Sequence, residues 1–214
     1  MSGKYMAYVG SYSYTGKAKG ITVFDVDVEN GMFKERCEIE VDNSSYVIAS
    51  SDGKTLYSIA DEGVVSFRIL PNGSLARLNS SSIRGMRGCH LCTDEEDKYV
   101  FVSGYHDGKT TVLSLNPDGS VGKIVDGVFD RGYGSVAERN FRPHVTCTRR
   151  MPDNRFVLSV DNGIDQVKIY RFNDKEQKLV QVDAIRCDLE SAPRHFRYSK
   201  DGKFIYLMYE FCLL

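Results

Sequence analysis

Histidine, arginine and glutamate residues stand at matching points of the 214-residue sequence, beside short apolar runs. Three of the four histidines, His90, His144 and His195, each open such a run. Arg194 directly precedes the last of them, and Glu210 ends the second apolar run that follows. Imidazole and carboxylate groups transfer protons, and guanidinium groups bind anions. If the fold gathers these residues, they predict acid–base chemistry beside an anion clamp.

A purely structural role is the alternative for these histidines. His90 and His195 recur with the internal repeat described below, which favours hydrogen bonding between strands. His144 differs because a long polar insertion, residues 126–142, precedes it, and loops added to a rigid scaffold often carry function. The insertion contains three arginines that are expected either to bind a substrate or to form a solvated rim: Arg131, Arg139 and Arg142.

The six cysteines are expected to be free thiols in a reducing compartment, because no signal sequence precedes them. Cys89 and Cys92 form a CxxC pair, but a structural zinc site needs a second ligand pair at suitable spacing. Residues three apart in a strand also point to opposite faces. We therefore expect no metal, no other cofactor, and packing roles for these cysteines.

The composition is that of a soluble globular protein, with 42% apolar residues, 27% charged residues and a net charge of −1. This balance gives no electrostatic reason to expect nucleic acid or an anionic membrane as a partner. Apolar runs fall far short of the roughly 18 residues of a spanning helix, and the N-terminus lacks a signal-peptide pattern. We expect a cytoplasmic protein in which residues 1–214 form a single domain.

Two sequence units alternate along the chain, and each contains two short apolar runs around a polar turn. The first unit occurs at 46–60, 90–105, 144–161 and 195–210. The second occurs at 20–33, 63–75, 110–121 and 167–179. Equivalent turns of the first unit are separated by 44, 57 and 48 residues, and those of the second by 42, 46 and 58. Both registers therefore give a mean period near 49.

Each unit has the chemistry of a β-hairpin, with alternating β-branched and aromatic residues closed by Asn-Gly or Asp-Gly turns. Two hairpins per period predict four-stranded antiparallel blades, so the fold class expected is an all-β propeller. The absence of tryptophan argues against WD40 repeats. The length supplies about 4.4 blades, so we expect an incomplete ring with exposed strand edges.

Propeller geometry predicts where the reactive residues meet. The first strand of each blade begins at one mouth of the ring, and the second strand returns to that mouth. Aligning the repeats places Tyr46, His90, His144 and His195 at one equivalent position. Arg194 and Glu210 are expected beside them.

Several motifs along the chain resemble those of the β-propeller lactonase family, of the cycloisomerase-2 type that includes 6-phosphogluconolactonases. They follow one another in family order over essentially the whole chain. The matching stretches are YVGSY (8–12), SSDGKTLYS (51–58), CHL (89–91), RPHV (142–145), DNGID (161–165), PRH (193–195) and YLMYE (206–210).

The resemblance implies a seven-bladed propeller of more than about 300 residues, of which this chain corresponds to the N-terminal part. In the related muconate-lactonizing branch, the site consists of a histidine, an arginine, a glutamate and a second arginine. The first three fall on His144, Arg194 and Glu210, and the second arginine has no counterpart here. Thr146 and Asn140 also depart from the family pattern.

The implied reaction is hydrolysis of a sugar-acid lactone, with 6-phosphoglucono-1,5-lactone of the pentose phosphate pathway as the leading substrate. Glu210 is expected to be the base, Arg194 the oxyanion stabiliser and His144 the proton donor or shuttle. The residues expected to bind substrate are Arg139, Arg142, His90 and His195. A muconate-lactonizing enzyme, a non-catalytic binding scaffold and an inactive remnant remain alternatives.

Overall fold

Short runs of β-branched and aromatic residues between glycine, asparagine and aspartate turns give this protein an all-β architecture, as expected. The computed structural model describes residues 5–135 and 141–211, and these ranges contain seventeen β-strands. Every pairing between them is antiparallel, and they form five sheets. Within the same ranges, no helix is long and apolar enough to cross a membrane.

Three of the sheets have four strands each. The first sheet has three strands, and the last has two. The first contains β1 (Tyr5–Gly10), β2 (Gly20–Asp27) and β3 (Met32–Glu40). The second contains β4 (Val47–Ala49), β5 (Thr55–Ala60), β6 (Gly63–Ile69) and β7 (Leu75–Ser82). The third contains β8 (His90–Thr93), β9 (Tyr99–Gly104), β10 (Lys109–Leu115) and β11 (Val121–Phe129).

The fourth and fifth sheets continue the same pattern. The fourth contains β12 (Val145–Arg150), β13 (Val157–Asp161), β14 (Gln166–Asn173) and β15 (Lys178–Arg186). The fifth contains β16 (Pro193–Tyr198) and β17 (Ile205–Tyr209). Strands follow chain order within every sheet, so each sheet is a meander of hairpins. The predicted repeat units therefore correspond to the first and second hairpins of successive blades.

The sheets are arranged around an axis lined by their first strands. Strand β8 contacts β4 on one side and β12 on the other, and β12 in turn contacts β16. The second strand of each blade also contacts the first strand of the next, as β13 contacts β16. Because β1 contacts β4 in this way, β1 corresponds to a second strand. The first sheet thus has no innermost strand among the described residues.

The turns between first and second strands have a common backbone shape. The residue before each turn's basic residue has a positive φ in all four blades: Gly53 (67°), Asp97 (50°), Asn154 (58°) and Gly202 (69°). Glycine adopts this left-handed conformation freely, and aspartate and asparagine tolerate it better than other residues. These turns therefore lie at one end of each blade. The starts of the first strands and the ends of the second strands lie at the opposite end.

The hydrophobic core lies between neighbouring sheets. One cluster joins the second and third blades through Ile59 and Leu91, which are both fully buried. Further clusters join the third to the fourth blade through Phe101 and Tyr170, and the fourth to the fifth through Phe196. The side chains of β17 are mostly exposed, unlike those of the equivalent β13. The fifth sheet thus presents the exposed edge expected from the sequence.

Candidate active site at the channel mouth

The second strands of the blades end at equivalent positions around one mouth of the axial channel. The residue at this end of each second strand follows the basic residue of its turn by seven positions. These residues are Asp61, Tyr105, Asn162 and Glu210. These positions lie close enough to bond across blades, because the Asn162 Nδ2 donates to Glu210 Oε2 at 3.1 Å. The predicted convergence of strand ends at one mouth is therefore present between the fourth and fifth blades.

Glu210 and Arg194 form an ion pair at this mouth. The Arg194 Nη1 donates to Glu210 Oε1 across the β16–β17 hairpin. Because Asn162 binds the other carboxylate oxygen, both oxygens of Glu210 are engaged. The Arg194 side chain is 47% exposed and that of Glu210 is 24% exposed. The guanidinium group is therefore accessible to an anionic group entering the mouth.

His144 is held in one tautomer by its contact with Tyr105. Its Nδ1 lies 2.6 Å from the Tyr105 carbonyl oxygen, and its ring stacks on the Tyr105 ring with centroids 4.4 Å apart. A carbonyl only accepts hydrogen bonds, so Nδ1 carries the proton and Nε2 carries the lone pair. Burial lowers the pKa of His144, partly offset by the bond to Tyr105, and Arg142 lowers it further. The neutral imidazole can therefore accept a proton at Nε2.

The Asp161 carboxyl group holds the backbone at His144 in place through hydrogen bonds. Its Oδ1 accepts hydrogen bonds from the His144 and Gly163 backbone N–H groups at 2.8 and 3.0 Å. Burial and the neighbouring Asp130 carboxylate raise the pKa of Asp161 well above its ordinary value. Asp130 in turn accepts a bond from the Tyr170 hydroxyl at 2.6 Å. Because a second buried negative charge beside a carboxylate is unfavourable, Asp161 keeps its proton to higher pH than an exposed aspartate does.

Asn162 connects the two halves of the site. Its backbone N–H donates to the His144 carbonyl at 2.9 Å, while its side chain binds Glu210. His144, Arg194 and Glu210 are therefore brought to one network, as the sequence predicts. The roles of Asn162 and Asp161 were missed, although both lie in the DNGID stretch. The equivalence of Asn162 with Glu210, counted from the turns, is the signal that identifies Asn162.

The predicted equivalence of His144 with the other histidines is wrong. Tyr46, His90 and His195 each precede their turn's basic residue by eight residues, whereas His144 precedes Arg155 by eleven. Cys147 occupies the equivalent position in the fourth blade. A β-bulge between Val145 and Cys147 shifts the register of β12 there. His144 consequently lies at the mouth, outside the layer formed by the other histidines.

That layer, which we call the ring layer, consists of Tyr46, His90, Cys147 and His195. The His90 ring lies 4.7 Å from the Tyr46 ring and 5.3 Å from the His195 ring, between centroids. The Cys147 Sγ lies 3.6 Å from His90 Nε2. Burial lowers the pKa values of both histidines. His90 and His195 thus pack side by side along the channel below the mouth.

Metal-ligand chemistry is also present in the ring layer. Ligand atoms of His90, Cys147 and His195 lie within 4.8 Å of one another, and nitrogen with sulfur donors suits zinc. These three residues lie far apart in the sequence and form no motif there, so the trio was not predicted. Cys89 and Cys92 are outside it, and burial raises the pKa of each thiol. The predicted burial of these two cysteines is only partial, since both are half-buried.

The insertion before His144 is shorter than predicted. Residues 126–129 belong to β11, so only the residues after Phe129 form the connection to β12. The Asp130 N–H donates to the Gly108 carbonyl, which places the connection beside a turn at the mouth. Arg142 is exposed and its guanidinium lies 5.6 Å from the Phe141 ring centroid. Arg139 lies outside the described residues.

Comparison with known proteins identifies the family that shares this architecture. Residues 6–212 match the family model described as a lactonase, 7-bladed beta-propeller. The chain belongs to this family. The match covers all five sheets of this lactonase propeller, and the resemblance noted in the sequence is confirmed.

Relatives of this lactonase propeller include named enzymes. A 6-phosphogluconolactonase of Bacillus subtilis is 32% identical over 213 residues, which cover 97% of this chain and 60% of the relative. A Bacteroides fragilis protein solved as a candidate 6-phosphogluconolactonase has 32% identity and a TM-score of 0.90, over 98% of this chain and 62% of that one.

A periplasmic gluconolactonase of Pseudomonas aeruginosa is similar in structure, with 26% identity and a TM-score of 0.87. The match covers 94% of this chain and 60% of that enzyme. This chain therefore spans about 60% of the length of the relatives it matches.

Proposed function

We propose that this protein hydrolyses a sugar-acid lactone, with 6-phosphoglucono-1,5-lactone as the leading substrate and 6-phosphogluconate as the product. The observation that carries the proposal is the network joining His144, Arg194 and Glu210 through Asn162 at one mouth. The names of the Bacillus subtilis and Bacteroides fragilis relatives support this substrate class. The five described cysteines are free thiols, which supports a reducing compartment such as the cytoplasm.

In the proposed reaction, the oxygen of a water molecule attacks the lactone carbonyl carbon. His144 Nε2 takes the proton released from that water, because its lone pair accepts no hydrogen bond from the described residues. The carbonyl oxygen becomes an oxyanion, which the exposed guanidinium of Arg194 stabilises. The bond to the ring oxygen then breaks, and His144 returns its proton to that oxygen to give the hydroxy acid.

This assignment changes the role that the sequence analysis gave to Glu210. Both of its carboxylate oxygens are bound, by Arg194 and by Asn162. We therefore propose that Glu210 orients the guanidinium, and that His144 acts as the base and proton shuttle. The positioning role predicts that Glu210→Gln weakens catalysis less than Arg194→Ala.

The decisive experiment measures lactone hydrolysis by this chain above the spontaneous rate. Removing one preorganised oxyanion donor typically lowers the rate by about 100- to 1,000-fold, so we expect that loss for Arg194→Ala. The matched control is Arg155→Ala, since Arg155 is exposed in a turn at the opposite end of its blade. Arg194→Ala activity above about a third of the wild-type rate would contradict the assignment.

A further inference from the structure

We propose that Arg149 and Arg197 form a phosphate-binding subsite inside the channel, below the mouth. The ligand class is a phosphomonoester, and in the proposed reaction it is the phosphate arm of the sugar lactone. The inference rests on the proposed function for its substrate, but binding of inorganic phosphate tests it separately. It assigns phosphate recognition to two residues other than the predicted Arg139 and Arg142.

The two arginines occupy equivalent positions of β12 and β16, six residues before the basic residue of their turns. Side chains two apart in a strand share a face. Arg149 and Arg197 therefore share a strand face with Cys147 and His195 of the ring layer. The corresponding residues of the second and third blades are Ile48 and Cys92. Among the four first strands that the structure describes, those of the fourth and fifth blades thus carry a cationic side chain at this position, and these two blades also carry the candidate active site.

Neither arginine has a carboxylate partner among the described residues. The Arg149 Nη2 donates to His90 Nε2 at 3.1 Å, and its buried Nε has no hydrogen-bond partner there. The Arg197 Nη1 donates to the neighbouring Phe196 carbonyl at 3.0 Å and to no other group in the described part of the chain. By contrast, Arg150 pairs with two aspartates, at 2.9 and 3.7 Å. Arg149 is half-buried, and a half-buried guanidinium without an anion is unfavourable, so binding a phosphate relieves that penalty. Arg197 is exposed, so its guanidinium is accessible to the same phosphate.

Neutral histidines supply further donors at this level. Because His90 Nε2 accepts from Arg149, its Nδ1 carries the proton. That Nδ1 is buried and has no partner among the described residues, and the His90 side chain is 0% exposed. Arg149 lies beside His90 through its hydrogen bond to Nε2, and Arg197 stands two residues after His195 on the same strand face. The proposed subsite therefore combines the guanidinium groups of Arg149 and Arg197 with the N–H group of His90, which has no partner among the described residues.

The subsite is correctly placed relative to the mouth. Arg194 precedes Arg197 by three residues, which corresponds to roughly 10 Å along a regular strand. Residues three apart in a regular strand face opposite sides, but the bulge between Pro193 and His195 makes Arg194 an extra residue, which shortens this separation and re-aims its side chain. Arg194 directly precedes His195 of the ring layer, so the mouth and the ring layer adjoin. A lactone whose carbonyl faces Arg194 can therefore extend its phosphate arm inward to Arg197 and Arg149.

A metal in the ring layer is the competing interpretation of the same residues. The separation of His90 Nε2 and Cys147 Sγ is 3.6 Å, close to the value of about 3.6 Å expected around tetrahedral zinc. However, Arg149 already donates to that nitrogen, and two adjacent guanidinium groups repel a dication. The charge at this level therefore favours an anion.

The first test measures binding of inorganic phosphate to the full chain by isothermal titration calorimetry. We expect Arg149→Met and Arg197→Met each to weaken phosphate binding by about 10- to 100-fold, since each removes a charge-assisted hydrogen bond. Arg155→Met is the control and should bind as the wild type does. Arg149→Lys keeps the charge and should retain most of the affinity, which shows that the effect is not a folding defect.

The second test compares two lactones that differ only in the phosphate. Arg197→Met should lower kcat/KM for 6-phosphoglucono-1,5-lactone by about 10- to 100-fold and leave that for glucono-1,5-lactone within about twofold. If the chain hydrolyses neither lactone, the proposed function fails while the phosphate titration still decides the subsite. Unchanged phosphate affinity in both methionine variants would overturn the subsite. So would Co²⁺ binding that gives a thiolate absorption band, lost in Cys147→Ser, without phosphate binding.

Discussion

Replacing Gly163 with alanine tests whether the position of His144 matters for the reaction. The added Cβ would overlap the Arg142 carbonyl oxygen and lie 2.7 Å from His144 Cδ2. Ordinary carbon contacts are at least about 3.5 Å, so the imidazole must move by about 0.8 Å. Displacements near 1 Å in an active site lower rates by about 100-fold. We therefore expect kcat/KM to fall by one to two orders of magnitude.

The same substitution should destabilise the fold moderately. Overpacking of this kind typically lowers the free energy of unfolding by about 1–3 kcal/mol. Gly202→Ala is the matched control, because Gly202 has a φ of 69° and no atom lies within 4 Å of its added Cβ. It should lose about 1–2 kcal/mol through its left-handed backbone alone. Both variants thus lose stability, but only Gly163→Ala disturbs the mouth.

The assay measures lactone hydrolysis and thermal unfolding on the two variants in parallel. A large loss of kcat/KM in Gly163→Ala, with Gly202→Ala near the wild-type rate, supports the placement of His144 in the machinery. If folded Gly163→Ala stays within threefold of the wild-type kcat/KM, His144 does not act on the substrate.

Two pH-dependent predictions follow from the buried groups around His144. Burial and Asp130 raise the pKa of Asp161 above its ordinary 3.8, so the folded chain holds a proton that the unfolded chain releases. The free energy of unfolding should therefore fall as pH rises above about 4, and urea titrations between pH 5 and 9 should show a flatter profile for Asp161→Asn. Burial lowers the pKa of His144 below 6.5, so kcat/KM should show an acid limb below that pH. In His144→Gln the limb should disappear and the rate should fall by about 100-fold or more; an unchanged limb would assign it to another group.

The fold was predictable because the local signals repeat. Turns ending in Gly53-Lys54 or Gly202-Lys203 fix a left-handed residue at the same point of each blade, and the alternating runs between turns supply strands. Strand β11 was the exception, since residues 126–129 were assigned to a loop. Asp126 and Gly127 are both poor strand formers, so the local sequence predicts a loop, but pairing with β10 makes this segment a strand. Propensity does not reveal such tertiary pairing.

The site was predictable only in part, because register depends on irregularities. Matching motifs by histidine placed His144 with His90, whereas counting from the turn places Cys147 there. The bulge in β12 is a property of strand pairing, and nothing local in the VTC stretch predicts it. Arg149 was overlooked for a related reason, since its significance comes from the alternation of side chains along β12. A correct register would have identified both.

A departure from the repeat at the mouth supports the proposed active site. Nine residues before the turn's basic residue, Ser45, Cys89 and Thr146 each donate a side-chain hydrogen bond to a backbone carbonyl of the following blade. Arg194 occupies the same position but binds Glu210 within its own blade. A neutral hydrogen bond of this kind stabilises a fold by about 1 kcal/mol. In the fifth blade, a half-exposed guanidinium beside the His144 network replaces this bond between blades. The replacement stabilises the ring less directly, but it gives the mouth a charged group that can bind an oxyanion.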